Sequence, residues 1–169
     1  MRADKFKEGR AYADANLLYM FLRHQEQHQD IVNRFMSQVI EGYVELYVSP
    51  LALDEALYRL LLAHVKEIYG EHPLTILRRD SIEPLQRVSD KICQVLRQVL
   101  QLPHVQMVNI TSEDSWRMLD NTEQYILMPR DALHLAVMQR LALHDIISDD
   151  ADFDRVPDLQ RHWMLHPPT

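Results

Sequence analysis

Strand-like and helix-like segments alternate along the whole chain, and this alternation limits the folds open to it. Five short segments have the alternating or β-branched pattern of strands, and longer segments between them repeat apolar residues at helical spacing. Such alternation is typical of parallel strands joined by crossover helices. The sequence therefore predicts an α/β fold, a three-layer α/β/α sandwich around a mostly parallel sheet of four to five strands. The predicted strands are 10–15, 43–48, 105–110, 145–148 and 162–165.

The clearest helix signals lie at the starts of two predicted helices. Ser49 followed by proline is a typical N-cap and first helical residue, and apolar spacing continues from there to Gly70. Thr111 and Asp114 have the spacing of a capping box. Periodicity is lost over 71–82, which predicts an exposed connection. The other predicted helices cover 17–23, 31–40, 84–102 and 131–143.

Composition excludes several classes of protein. The 169 residues, 47% hydrophobic and 25% charged, predict a single domain over 1–169. The three glycines lie far apart, which excludes a GxGxxG fingerprint, a phosphate-binding P-loop and a GxSxG nucleophile elbow. Cys93 is the only cysteine, so an intrachain disulfide and a Cys-rich zinc site are excluded, and a buried helix thiol is expected.

Charge and hydropathy limit the partners of the chain. No segment has the character of a signal peptide or a membrane span, so we expect a cytoplasmic protein with no membrane partner. The net charge is −7, from 18 Lys and Arg against 25 Asp and Glu. Because this field repels polyanions, binding of a nucleic acid would require a local basic patch or metal ions.

Four acidic residues occupy positions where an open α/β sheet forms its sites. Asp14 ends the first predicted strand, Glu55 lies early in the helix after the second, Asp131 is in the first turn of its helix, and Asp150 follows the fourth strand. Carboxylates gathered from such distant segments repel one another at neutral pH. A divalent cation would remove this repulsion, and hard oxygen ligands suit Mg²⁺ or Mn²⁺.

Each of these acids also has a simpler interpretation. Asp14 and Asp131 stand where aspartate caps helices, and 150–154 has the composition of a surface turn. Glu55 is no cap, because it lies in the second turn among apolar residues and needs another partner. A calcium loop starting at Asp150 is rejected, because arginines occupy the positions that need Gly and Glu.

Two histidines have the spacing of a zinc-binding helix. His24 and His28 are four residues apart, but no third ligand is evident and the surrounding HQEQHQD segment is wholly polar. A solvated loop or helix break is the favoured interpretation there.

Four motifs in the same order carry a family resemblance. YADANLL (12–18), SPLALDEAL (49–57), PRDALHLA (129–136) and IISDDADFDRVP (146–157) together resemble the PIN-domain family, particularly its VapC-like toxin ribonucleases. The resemblance implies that the acidic metal ligands are Asp14, Glu55, Asp131 and Asp150, with Asp152 as an accessory acid, and that Asn16 and Ser148 support them.

The resemblance also implies an activity and partners. One or two Mg²⁺ or Mn²⁺ ions would serve an endoribonuclease that hydrolyses RNA phosphodiester bonds, acts as the toxin of a type II toxin–antitoxin pair, forms a homodimer and is neutralised by a small antitoxin. Alternatives are a catalytically silent PIN-like module that binds RNA or protein, and a structure-specific DNA nuclease. Residues that could contact substrate are Arg130, Arg155 and His134, for the last of which a packed core histidine is the favoured alternative.

The chain departs from compact members of this family in two ways. A charged leader over 1–9 and a helical elaboration over 71–102 lengthen it. The doublet Asp149–Asp150 leaves two registers for the last ligand. Asp150 is preferred, because it stands two residues after Ser148 and two before Asp152.

Overall fold

A five-stranded, wholly parallel sheet forms the centre of the protein. The computed structural model describes residues 1–23, 29–165 and 167. Neighbouring strands pair in the order β3-β2-β1-β4-β5, and every pair is parallel. The predicted α/β sandwich is confirmed. The strands are β1 (Gly9–Ala13), β2 (Val44–Val48), β3 (Val105–Met107), β4 (Asp145–Ile147) and β5 (Gln160–His162).

Helices cover both faces of this sheet. Ala11 and Ala13 of β1 point to one face, where the core contains side chains of α1, α2, α3 and α5. Tyr12 points to the other face and packs against α7. The described helices are α1 (Ala15–Arg23), α2 (Gln29–Ile40), α3 (Pro50–Tyr69), α4 (Pro73–Arg79), α5 (Ile82–Leu100), α6 (Ser112–Tyr125) and α7 (Pro129–Arg140).

The two helix starts marked in the sequence have the predicted caps. Ser49 precedes α3 and its hydroxyl accepts from Ala52 N–H, and α3 ends at Gly70 in the left-handed conformation, with φ of 68°. Thr111 and Asp114 form the capping box of α6. Each cap fixes the connection between a strand and the next helix, so the two caps help to position the side chains at the carboxyl end of the sheet.

The segment 71–82 is largely exposed, as predicted, but the prediction missed a helix within it. This segment contains α4, whose Ile76 is buried in a core cluster with Val65 of α3 and Val88 of α5. A helix of seven residues completes only about two turns, too few to show an apolar period in the sequence. Together α4 and α5 pack on the half of α3 that lies farther along the chain.

The last strand lies two residues earlier than predicted. Its sequence, QRH, has no apolar pattern that would predict a strand. Arg161 can be buried there because it forms an ion pair with Asp154, at 2.7 Å. Cys93 is half-buried on α5 and not fully buried as expected. Among the described residues, no helix is long and apolar enough to cross a membrane.

Two further sequence expectations concern the first part of the chain. The charged leader over 1–9 packs against the rest of the chain, because Ala3 and Phe6 are buried and the backbone of Arg2 forms an isolated β-bridge with Trp163 beside β5. His24 and His28, predicted to lie on a solvated loop or helix break, fall outside the described residues.

Candidate active site

An acidic pocket lies at the carboxyl ends of the central strands. β1 pairs with β2 on one side and with β4 on the other, so the crossover direction reverses beside it. Sites in open α/β sheets form at such a reversal. The pocket has a volume of about 510 Å³. The described residues that line it include all four predicted acids: Asp14, Glu55, Asp131 and Asp150.

Asp14 directly follows β1 and is almost fully buried. Its Oδ1 accepts from Asn16 N–H at 2.7 Å, and its Oδ2 accepts from Asn16 Nδ2 at 2.9 Å. Oδ2 also accepts a hydrogen bond from Ser148 Oγ, which follows β4. Burial raises the pKa of Asp14, and the bonds from Ser148 and Asn16 oppose that rise. Asp14 thus both begins α1 and faces the pocket, so the capping and site interpretations coincide.

Glu55 has the partners that its sequence position required. Its Oε1 lies 3.3 Å from Arg130 Nε, and its Oε2 lies 3.4 Å from His134 Nε2. Burial alone would raise the pKa of Glu55, but the contact with His134 and the charges of His134, Arg130 and Arg59 outweigh burial and lower it. Glu55 is therefore held as a carboxylate.

Asp131 carries the clearest electrostatic perturbation of the site. Burial and then the charge of Asp150 raise the pKa of Asp131 to about 6, with Glu55 and Asp152 adding to the rise and His134 opposing it. Carboxylates shift each other's pKa in this way only when they are close together. The protein therefore concentrates negative charge around Asp131.

The doublet after β4 divides between two environments. Asp150 lines the pocket, and its Oδ1 accepts from Asp152 N–H at 2.9 Å while its own N–H donates to Ser148 Oγ at 2.9 Å. Asp149 points elsewhere, and its Oδ1 accepts from the backbone N–H groups of residues 164 and 165, both at 2.8 Å. The geometry favours Asp150 as the acid that faces the pocket.

Three predicted residues lie outside the described pocket lining: Ser148, Asp152 and Arg155. Asp152 forms an ion pair with Arg155 at 2.7 Å, and Arg155 also donates to the carbonyl oxygen of Ile126 at 2.8 Å. Neither Asp152 nor Arg155 is among the described residues that line the pocket. Asp152 still acts on Asp131 through its charge.

The family model described as PIN domain matches residues 11–159. This chain belongs to the PIN domain family. The match includes β2, β3, β4 and most of β1, ends just before β5, and contains the four acids of the pocket. A comparison with curated proteins finds no significant match.

Solved structures share the fold of this PIN domain. VapBC2 from Rickettsia felis, bound to a DNA fragment from its promoter, is 12% identical with a TM-score of 0.58 and covers 92% of this chain and 98% of its own. A toxin–antitoxin complex from Klebsiella pneumoniae is 16% identical with a TM-score of 0.54, covering 89% and 95%. VapC20 from Mycobacterium tuberculosis, a toxin that cleaves the sarcin-ricin loop, is 12% identical with a TM-score of 0.54, covering 85% and 92%.

The donor set of this PIN domain fits a hard divalent cation. The pocket offers carboxylate oxygens, and burial followed by the charge of Asp150 raises the pKa of Asp131 to about 6. Within 1–23 and 29–165, no group of three or more His, Cys, Asp or Glu side chains is arranged so that it could by itself hold a metal ion. Mg²⁺ commonly uses one or two carboxylates and keeps several waters for the remaining positions. The residues therefore fit Mg²⁺ or Mn²⁺ held partly through water.

Sequence reasoning missed a buried network behind Glu55. His134 is 1% exposed, and its Nδ1 lies 2.7 Å from the hydroxyl of Tyr12, which in turn lies 2.6 Å from Ser49 Oγ. His134 is thus a packed core histidine that also contacts an acid of the pocket. A polar tyrosine between two alanines in a buried strand was the available signal, because its hydroxyl needs a partner.

Arg59 is one of several pocket residues that the sequence did not single out, with Tyr58 and Met128 among the others. It lies one turn after Glu55 on α3 and lines the pocket together with Asn16 and Arg130. The four-residue spacing from Glu55 predicts that Arg59 lies on the same face of α3. It does not predict which residues of other elements Arg59 contacts.

Proposed function

We propose that this PIN domain is a metal-dependent endoribonuclease and the toxin of a toxin–antitoxin pair. The observation that carries the proposal is the convergence of Asp14, Glu55, Asp131 and Asp150, from four separate elements, on one pocket. Membership of the PIN domain family and the fold shared with toxin–antitoxin proteins support it.

The four acids would hold one or two Mg²⁺ or Mn²⁺ ions, with Asp152 as an accessory acid. Such ions lower the pKa of a bound water and neutralise charge on the leaving oxygen of a phosphodiester. Asn16 and Ser148 keep the oxygens of Asp14 in fixed directions. Glu55 stays ionised through its contacts with His134 and Arg130. These residues therefore orient the acids before substrate arrives.

The rim of the pocket suits a single strand. Tyr58 is 50% exposed and Met128 is 65% exposed, and both line the pocket beside the acids. Unpaired bases stack on aromatic side chains and contact apolar ones, whereas paired bases do not offer their faces. Arg130, 63% exposed on its side chain, can turn from Glu55 toward a phosphate oxygen. Arg155 is a weaker substrate contact, since it is bound to Asp152.

The proposed partners follow from the same pocket. We propose a small antitoxin with a basic segment, because such a segment complements the acidic pocket.

We also propose that two copies of the chain form a homodimer. The chain acts as one domain over 1–169, with α4 and α5 as the elaboration, and it works in the cytoplasm.

The test is a cleavage assay on mixed RNA with Mg²⁺. Asp14→Asn and Asp131→Asn should abolish cleavage with the fold retained, and a chelator should stop the wild-type reaction. Asp54→Asn is the matched control, because this exposed acid precedes Glu55 on the same helix and lies outside the described pocket lining. Full activity in both pocket variants would refute the site.

The same assay separates the alternatives. Mn²⁺ and RNA binding without cleavage would indicate a silent binding module. Cleavage of a DNA of matched sequence in preference to the RNA would indicate a DNA nuclease.

A further inference from the structure

Arg59 lies in the acidic pocket and its charge acts on Glu55, but within the described part of the chain it forms no direct ion pair with a carboxylate. Among the described residues, Arg130, Arg155 and Arg23 each form an ion pair with a carboxylate, whereas Arg59 forms none. Within the described part of the chain, its side chain donates one hydrogen bond, from Nη1 to Asn16 Oδ1 at 2.7 Å. A guanidinium has five N–H donors, so most of those on Arg59 are available to an anion that enters the pocket.

Two contacts hold the guanidinium in place. Its Cζ atom lies 4.2 Å from the centre of the Tyr19 ring, which is a close cation–π contact. The bond to Asn16 fixes its rotation over that ring. Arg59 is thus oriented before any ligand binds, which reduces the entropy lost on binding.

Asn16 connects this arginine to the first acid of the site. Its Nδ2 donates to Asp14 Oδ2 at 2.9 Å, while its Oδ1 accepts from Arg59. One amide therefore sets the position of a proposed metal ligand and of a cation in the same pocket. The shared contact with Asn16 therefore suits an anion that binds a metal ion at Asp14 and the guanidinium of Arg59 at the same time.

We infer that Arg59 is a substrate-binding residue that donates to a phosphate oxygen of the RNA, with Asn16 and Tyr19 as the residues that position it. The inference rests on the proposed ribonuclease function. A planar guanidinium matches the oxygens of a phosphate with two parallel N–H donors, which an ammonium cannot do. The net charge of the chain is −7, which repels RNA. Arg59 would supply positive charge locally, at the pocket.

The experiment compares Arg59→Gln with Arg23→Gln. Arg23 lies over the same Tyr19 ring, with its Cζ atom 6.0 Å from the ring centre, but pairs with Glu67 and lies outside the described pocket lining. We expect Arg59→Gln to lower kcat/KM on RNA by about 10- to 100-fold, the cost of one charge-assisted hydrogen bond. Arg23→Gln should stay within about twofold of wild type.

Two further readouts separate phosphate binding from a structural role. The slope of log kcat/KM against log salt should become shallower by about 0.7 in Arg59→Gln, as expected for one lost phosphate contact on a single strand. Mn²⁺ affinity of the RNA-free protein, measured by calorimetry, should stay within about twofold of wild type. Arg59→Lys, which retains the charge, should fold and recover part of the loss.

Each outcome decides the inference. Unchanged kcat/KM in Arg59→Gln, or a loss of Mn²⁺ affinity as large as the loss of cleavage, would overturn it while wild-type cleavage still supports the proposed function. A wild-type chain that leaves RNA intact would refute the proposed function itself and the inference with it.

Discussion

His134 joins Glu55 to the interior of the domain, with 3.4 Å between His134 Nε2 and Glu55 Oε2. The opposite ring nitrogen of His134 lies 2.7 Å from the hydroxyl of Tyr12 on β1. The orientation of Glu55 therefore depends on a strand residue that does not line the pocket.

Tyr12→Phe should destabilise the domain, because it removes a buried hydroxyl that serves both His134 and Ser49. We expect a loss of about 1–3 kcal/mol in the free energy of unfolding, measured with urea. Tyr47→Phe is the control on the neighbouring strand, since Tyr47 lies opposite Tyr12 in the sheet and its hydroxyl donates to the exposed Glu45 at 3.0 Å. Equal effects of the two substitutions would contradict a special role for the His134 network.

The two aspartates after β4 should respond differently to alanine. Asp149→Ala should cost about 1–3 kcal/mol of stability, because two backbone N–H groups lose their acceptor, and should leave cleavage in place. Asp150→Ala should abolish cleavage and change stability less. Denaturation and RNA assays on the same preparations check both. The reverse outcome would move the proposed ligand to Asp149.

Asp131→Asn should make the protein more stable at pH 7 while it removes activity. The pKa of Asp131 is about 6 in the folded protein, above its usual value of 3.8. The folded state therefore binds more protons there than the unfolded state, and stability falls as the pH rises through that interval. Asparagine carries no charge, so it removes both the cost of burying the carboxylate and its repulsion by Asp150.

The expected gain is about 1 kcal/mol after allowance for solvent screening, or roughly 2–4 °C in Tm at pH 7. It should disappear below about pH 3, where Asp131 is protonated in both states. Melting curves of both proteins in a chelator at pH 3 and pH 7 provide the measurement. A gain independent of pH would show that charge repulsion is not its cause.

Ser148→Ala should weaken metal binding without removing a ligand. The hydroxyl donates to Asp14 Oδ2 and accepts from Asp150 N–H, so it orients two of the proposed ligands. Loss of such an outer contact commonly lowers metal affinity or activity by about 10- to 100-fold. Mn²⁺ titration measures the effect. Wild-type affinity in this variant would mean that Asp14 is positioned by Asn16 alone.

The fold could be predicted from the sequence because strands and helices leave local patterns of apolar residues. Alternation in Val44–Val48 and helical spacing in Pro50–Tyr69 report burial directly. Sequence reasoning did not reach α4, which is too short to show a period, or β5, where Arg161 is buried by a partner that no pattern indicates.

Placement of the site was partly predictable for a related reason. Acids that follow strands must gather at one edge of a parallel sheet, which brought Asp14 and Asp150 together. The contacts of Tyr12 with His134 and of Arg59 with Asn16 join residues 122 and 43 positions apart. Side-chain partners at such distances depend on packing, which one sequence does not specify.

The bond between Ser148 and Asp14 spans 134 positions, so the ribosome makes one partner long before the other. β1 lies at the centre of the sheet, yet β4, its neighbour on one side, is the fourth strand to be synthesised. Until then a nascent chain contains Asp14 but neither Ser148 nor Asp150, and the proposed pocket cannot assemble. In a chain interrupted before β4, the acid that follows β1 would thus lack its two partners that follow β4, and the proposed site would be incomplete.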